Sequence, residues 1–399
     1  MNARIGWQNL RTSEFLDNGD YMLITGTDFK DGEIDYSNIH YVKKNRFDQD
    51  KKIQISNGSI LITKDGTLGK VAYVTDLPMP ATLNAGVFNV RIKNENEVND
   101  KYLFHYLKAP FLLKFSSEQS TGGTIKHLNQ NVLVKFPVPL PALAEQNKIA
   151  EFLTNFDKLI TLQQRQLDLY KKLKKGLLQK LFPKDGEKVP EVRFADFHED
   201  WKQFKLNELR DFNDKYSFTG GPFGSDLKSS DYTSDGIRII QLQNIGDGFF
   251  LNNYKIYTSK EKAQSLSSNY IYPGEIIIAK MASPLARATI IPKLTDIFLM
   301  SSDGIRLKID SKKYDNYFVL TAINNSSFRK KALANSSGTT RKRIGLAVLG
   351  NLILNIPKFQ EQVKVGGTFK RIDRQITLQY EKLNKLNFFK KYLLQKLFI

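Results

Sequence analysis

The stretch PALAEQNKIAEFL, residues 141–153, opens a run that closes with LLQKLFP at residues 177–183. The chain repeats both ends of that run: PKFQEQVKV begins at Pro357, and LLQKLF ends at Phe398. Glu145 matches Glu361, Asp157 matches Asp373, and Ile160 to Gln163 match Ile376 to Gln379, every pair 216 residues apart. A repeat at fixed offset constrains the architecture before any local reading. In the first copy Ile149, Phe152, Phe156, Leu159, Gln163, Leu167, Tyr170, Leu173, Leu177 and Leu181 recur at steps of three or four. In the second, Val365, Phe369, Ile372, Ile376, Leu383, Leu386, Phe389, Leu393 and Leu397 do the same. That period predicts two long helices, each with a narrow seam of coiled-coil type. Pro141 and Pro357 stand before the starts, and Pro183 follows the first end, the places where helices tolerate proline. About 40 residues at 1.5 Å each span about 60 Å. Such a seam needs a partner. The other copy is the expected one, and the alternative is that each helix packs on its own block.

The repeat divides the rest of the chain. Residues 1–142 and 201–357 are expected to be two α/β (α+β) blocks, 143–183 and 358–399 the two long helices, and 184–200 a linker. Tyr21 to Thr25, Ser59 to Thr63 and Val87 to Ile92 read as strands, and Tyr102 to Phe115 as a helix. Asp31-Gly32, Asn57-Gly58 and Asp65-Gly66 read as turns. The offset continues inside the blocks, pairing Ile24 with Ile240, Tyr41 with Tyr257, Gly58 with Gly274, and Gly122 with Gly338. The blocks have diverged more than the helices, which suggests related sites reading different things. The second block opens with WKQFKLNEL at Trp201, and its counterpart falls before residue 1, so the first block is expected to be short at its N-terminus. Antiparallel pairing of the helices would place the blocks at opposite ends of a rod. On DNA that arrangement would read a split, asymmetric site.

Bulk composition narrows the partners. The chain has 399 residues, with 60 Lys and Arg against 41 acidic residues and a net charge of +19. An excess of that size favours a polyanion, nucleic acid first. There is no cysteine, hence no disulfide or thiolate ligand, which suits a cytoplasmic protein. No apolar run approaches the ~20 residues that span a bilayer.

Catalytic motifs are poor and binding motifs are better. Gly66-Thr67-Leu68-Gly69-Lys70 has the wrong spacing for a phosphate-binding loop. His40, His105, His127 and His198 are scattered, so no metal site is expected. Asp50-Lys51-Lys52 and Asp310-Ser311-Lys312 resemble nuclease triplets, as any lysine-rich chain will by chance. Each block has a loop after a strong strand: Lys64 with Gly66, Thr67 and Lys70 in the first, and Lys280, Ser283 and Arg287 in the second. Small residues admit a close approach, hydroxyls bond phosphates and cations neutralise them. Each block also has a later Gly-Thr loop, carrying Thr124, Lys126 and His127 or Thr339, Thr340, Arg341, Lys342 and Arg343. Arginine reads guanine edges bidentately. Gln241, Gln243 and Asn244 carry amides that suit adenine edges, or they are turn-forming polar residues. Phe223 is expected in the core, the alternative being display to a ligand.

Together these features resemble the specificity subunits of type I restriction-modification systems. The carriers are the P-x-x-x-E-Q helix starts, the LLQKLF ends, the W-x-x-x-x-L opening at Trp201, GPFGS at Gly221, and the doubled order. The resemblance implies two target recognition domains on double-stranded DNA and an antiparallel coiled coil of spacer helices that sets the gap between half-sites. It implies partners too: two methylation subunits and two motor-nuclease (restriction) subunits. S-adenosylmethionine, ATP and magnesium would sit on those partners, leaving this chain with no cofactor and no catalytic residue. The competing readings are a stand-alone nuclease or methyltransferase and, further off, a coiled-coil adaptor for RNA or protein.

Overall fold

The computed structural model describes residues 2–6, 9–64, 68–119, 128–281 and 283–398. They gather into two compact units, one of residues 1–165 with 381–399 and one of residues 166–380.

The first unit holds two four-stranded sheets. β1 (Asn2–Ile5), β2 (Met22–Ile24), β3 (His40–Tyr41), β4 (Gln54–Ile55), β5 (Ile60–Thr63), β6 (Val71–Tyr73), β7 (Ala81–Leu83) and β8 (Val87–Arg91) supply the strands. One sheet has the order β1-β8-β5-β6, all antiparallel. The other has the order β3-β2-β7-β4, with β2 and β7 parallel. β5 reads ILIT and is buried at all four positions, the pattern of a strand covered on both faces. The helix expected over Tyr102 to Phe115 is two: α1 (Asp100–Lys108) and α2 (Phe111–Gln119). Pro110 lies between them, and a proline disfavours helical backbone in the residue before it.

The long helix α3 (Leu143–Lys180) follows, and the second unit repeats the plan with β9 (Lys202–Lys205), β10 (Phe218–Gly220), β11 (Tyr232–Thr233), β12 (Ile237–Ile240), β13 (Ile256–Thr258), β14 (Tyr270–Ile271), β15 (Ile276–Ala279), β16 (Ala288–Ile290), β17 (Phe298–Met300) and β18 (Gly304–Leu307). The sheet β10-β18-β15-β16 matches the first unit's antiparallel sheet, and β11-β13-β12-β17-β14 matches its mixed sheet, with β12 and β17 parallel. Ile60 faces Tyr73 where Ile276 faces Ile290. The second of these partners lies 217 residues on, so the loop after β15 is one residue longer than the loop after β5. α4 (Asn316–Asn324), α5 (Ser326–Ala334), β19 (Ile353–Ile356) and the long helix α6 (Phe359–Lys396) complete the chain. β19 pairs with β9 in a two-stranded ribbon.

Within each unit the two long helices run antiparallel. In the first, Ala150 and Leu153 of α3 share a core with Leu394 and Phe398 of α6. Farther along α3, Phe156 meets Phe389, so numbers rise on one helix as they fall on the other. In the second, Lys174 meets Asp373 at 2.6 Å and Phe182 meets Phe369. The expected partner and the alternative are both used, because the helix ends also enter the cores of the blocks. The seam itself differs from the expected stripe. Phe152, Leu159 and Leu173 of α3 and Phe389 of α6 are exposed, whereas Ala150, Leu153, Gln163 and Leu167 are buried. Apolar identity located the helix, but its neighbours chose the face.

The repeated glutamine fastens each helix to its block. Gln146 donates to the carbonyls of Glu97 and Pro141 and accepts from the Asn99 N–H. Gln362 donates to Lys313 and Pro357 and accepts from Asp315 in the same way. Asn99 and Asp315 in turn cap α1 and α4, satisfying an otherwise orphan N–H. Gly366 admits a close approach of helix to block: a Cβ there would stand 2.2 Å from Asp315 Oδ1 and 2.7 Å from the Phe318 nitrogen.

Candidate nucleic-acid interface

Three loops that are distant in sequence converge in the second unit. The loop after β12 turns on Asn244, whose amide donates to the carbonyls of Leu251 and Tyr254 at 2.9 and 2.8 Å and accepts from the Gln241 N–H at 3.0 Å. The loop after β15 is tied to it by Arg287, which donates to the Leu242 carbonyl at 2.9 Å. The 337–343 loop closes on itself through paired backbone bonds between Ser337 and Arg343. It docks on the strand end through the Ile344 N–H to the Lys280 carbonyl at 3.0 Å, and Arg343 pairs with Asp303 at 2.6 Å. Gly338 makes the turn at φ 91°, where a Cβ would stand 2.6 Å from the Arg341 oxygen.

Between these loops and α3 lies a cleft of about 1250 Å³. Its walls include Ser283, Thr340, Arg341 and Lys342 from the loops, Lys171, Lys174 and Lys175 from α3, and Arg329 and Lys330 from α5. Lys174 is paired with Asp373, and Arg329 holds Asp247 at 2.5 and 3.0 Å. Lys171, Lys175, Lys330, Arg341 and Lys342 are exposed, so the cleft offers several cations on a wall of fixed loops. Phe249, 54% exposed, stands at the same cleft.

The sequence-derived residues divide accordingly. Ser283, Thr340, Arg341 and Lys342 meet at the cleft. Thr339 and Gln243 are exposed nearby in sequence. Lys280 is half-buried and uses its backbone to receive the 337–343 loop. Gln241 is half-buried and donates to the Tyr232 hydroxyl at 3.1 Å. Asn244 corrects the reading as a base-contacting amide. It is 0% exposed with its side chain committed to the turn, which is the turn-forming alternative. Arg287 and Arg343 brace loops and are only partly available. Phe223 corrects the expectation of a core residue, being 82% exposed. In the first unit Lys64 is half-buried with its N–H on the Gly86 carbonyl, and Lys70 is exposed. Gly66, Thr67, Thr124, Lys126 and His127 lie outside the described residues. The lysines of α3 and the α5 pair were missed, because no local motif sets them apart and only the tertiary packing brings them to the loops.

Below α1 the first unit places a compact polar cluster against the long helices. Asp157 of α3 pairs with Lys390 of α6 and lies 3.5 Å from Lys108. Burial and the neighbouring Lys390 pull the Lys108 ammonium below its ordinary value, against the opposing pull of Asp157. His105 is buried beside them, its Nε2 3.1 Å from Thr154 Oγ1. Burial drives its pKa down to about 3, so it is neutral. Among the described residues no group of three or more His, Asp or Glu is placed to hold a metal ion. Among them, too, no helix is long and apolar enough to cross a membrane.

Residues 7–170 and 198–387 match the family described as type I restriction modification DNA specificity domain. The chain belongs to that family. Each matched region takes in one block and most of the long helix that follows it, and the chain is a DNA-binding specificity subunit with two tandem recognition domains. The chain is 25% identical over 356 residues to the type I restriction enzyme MjaVIII specificity subunit of Methanocaldococcus jannaschii, covering 87% of this chain and 80% of that one. It is 25% identical over 378 residues to a putative MjaX specificity subunit of the same organism, covering 92% and 84%. In fold it is similar to the crystal structure of a type I S subunit from M. genitalium, with TM-score 0.63 at 16% identity, over 100% of this chain and 93% of that chain.

Proposed function

We propose that this specificity subunit reads a bipartite, asymmetric DNA site, one half-site per recognition domain, and carries two methylation and two motor-nuclease subunits in the cytoplasm. On this reading the chain performs no catalysis. S-adenosylmethionine, ATP and magnesium act on the partner subunits. One observation carries the DNA-reading part: three loops of the second unit meet α3 around a single basic cleft with exposed Arg341 and Lys342 at its wall. Loop cations on a rigid frame suit base and phosphate contacts, and the lysines of α3 suit the backbone alone.

Methylome sequencing of a host carrying the chain with its partners gives the split motif. Binding to that site, measured with the methylation partner present, should weaken steeply with salt. Arg341→Ala should cost ~1–3 kcal/mol and relax discrimination at one half-site only. Equal affinity for scrambled DNA at moderate salt, or loss of discrimination at both half-sites, would count against the reading.

A further inference from the structure

One hairpin is built twice in this chain and displays a different side chain each time. In the first unit Phe29–Lys30 pairs with Glu33–Ile34. In the second, 216 residues on, Ile245 bridges Phe250, and the Gly246 N–H donates to the Phe249 carbonyl at 2.9 Å. The approach to the hairpin is copied too. The Thr25 N–H donates to the Asp28 carboxylate at 2.7 Å, as the Gln241 N–H does to the Asn244 amide oxygen at 3.0 Å. On the way out, the Asp35 N–H meets the Asp28 carbonyl at 2.8 Å, and the Leu251 N–H meets the Asn244 carbonyl at 2.9 Å. Gly32 and Gly248 make the two turns at φ 99° and 87°.

Within this shared frame the two residues after the turn glycine diverge. Neighbours on a strand point to opposite faces. Ile34 and Phe250 point inward and pack on the cores of their blocks. Glu33 and Phe249 point outward and are exposed. The inward place is apolar in both units, as its core requires. The outward place holds a carboxylate in one and a phenyl ring in the other, so the hairpin itself does not need the ring.

The surroundings of Phe249 say what the ring meets. It stands on the wall of the basic cleft with Arg341 and Lys342. The hairpin is held there by the paired hydrogen bonds from Arg329 to Asp247 and by the Gly248 N–H on the Ala288 carbonyl at 3.0 Å. One edge of the ring lies on Gly246, where a Cβ would stand 3.0 Å from both Cδ2 and Cε2. With that edge seated, the ring cannot stand clear of the hairpin as a wedge between base pairs must. It can cover a group that projects from a base edge. A duplex whose phosphates meet the cleft's lysines brings base edges to the ring, and the apolar group on the major-groove edges is the 5-methyl of thymine.

We propose that Phe249 reads a thymine, its ring packed on the 5-methyl group, in the half-site that the second unit contacts. The inference rests on the reading of the cleft as a DNA interface and adds a specificity-determining residue to it.

Deoxyuridine lacks that methyl and is otherwise thymidine, so the test is a methyl scan. Duplexes carrying the split motif found by methylome sequencing are made with each thymine of both half-sites replaced in turn by deoxyuridine. Binding of the full chain with its methylation partner is read by fluorescence anisotropy. For the parent, one replacement in the half-site that Arg341→Ala relaxes should weaken binding about fourfold, the worth of one buried methyl group. Phe249→Ala should bind the thymine duplex about tenfold more weakly and be indifferent to that replacement. Phe249→Leu keeps an apolar contact and should recover part of both the affinity and the methyl sensitivity, which a misfolded hairpin would not. A parent indifferent to every replacement, or a Phe249→Ala variant that keeps the parent's methyl sensitivity, overturns the proposal. If Arg341→Ala still relaxes one half-site in those cases, the DNA reading stands without it. Loss of the methylation partner from Phe249→Ala on gel filtration also overturns it, assigning the ring to a protein contact. Equal binding of a scrambled duplex by the parent sinks the DNA reading and this inference together.

Discussion

Asp157 and Asp373 occupy one place on two copies of a helix, and each receives a lysine from the other copy, Lys390 and Lys174 respectively. Their further neighbours differ. Asp157 also faces Lys108 of α1, whereas Asp373 accepts from the Tyr317 hydroxyl of α4 at 2.7 Å. The helix starts show the same contrast: Gln146 and Gln362 are anchored identically, yet Glu361 is buried under Arg193 and Trp201 while Glu145 is exposed. Contacts between helices, and between each helix and its own cap residue, survive duplication because both partners are copied together. Contacts to the diverged parts of the blocks do not: Lys108 beside Asp157 has Asn324 as its counterpart, and Tyr317 beside Asp373 has Lys101.

The comparison breaks most sharply at the glutamates. Glu361→Ala leaves the Arg193 guanidinium, largely enclosed, without its partner and should cost ~3–5 kcal/mol, whereas Glu145→Ala should stay within ~0.5 kcal/mol. Denaturant titration of both variants checks the pair. Next comes the position where α4 or α1 abuts the long helix. Gly366→Ala forces a methyl against the Asp315 carboxylate and the Phe318 nitrogen and should cost ~1–3 kcal/mol. At the matching position Ala150 is already accommodated and buried, and Ala150→Gly should cost about 1 kcal/mol through helix propensity.

A pH series separates the units further. His105 is neutral in the fold, with a pKa near 3 against an ordinary 6.5. Below pH 6.5 the unfolded chain binds the proton that the folded chain refuses. The contribution is therefore whole above pH 6.5 and is lost as pH falls towards 3, by up to about 1.4 kcal/mol per unit. The second unit has Thr321 at the matching position. Thermal melts from pH 7 to 4.5 should show a shallower acid decline for His105→Gln than for the parent. The smallest expected effect is Phe223→Ala, within ~0.5 kcal/mol of parent stability because the ring is exposed. Circular-dichroism melts check it, and a large loss would return Phe223 to the core.

Part of the candidate site was legible in the sequence. The clustering of Thr339 to Arg343 after a glycine marks an exposed basic loop, and Ser283 after a fully apolar strand marks a strand-end loop. Asn244 and Gln243 were not separable, because an amide closes a turn as readily as it bonds a base, and only burial tells which. Phe223 was misread for a related reason, since hydrophobicity states a preference and not a location. Lys171 and Lys175 belong to the cleft only because α3 passes beside loops more than 60 residues away in sequence.

The sequence by itself determined the duplication, the two long helices, the alternation of blocks and helices, and the basic charge. Each is written in local period, composition or fixed offset, which need no neighbour to be read. Only the tertiary structure decided which side of each helix is the seam, which of two identical glutamates is buried, and which of the polar loop residues remain free to meet a ligand. Those outcomes depend on what lies across the interface, and the energy of burying a side chain is a property of its surroundings as much as of the residue.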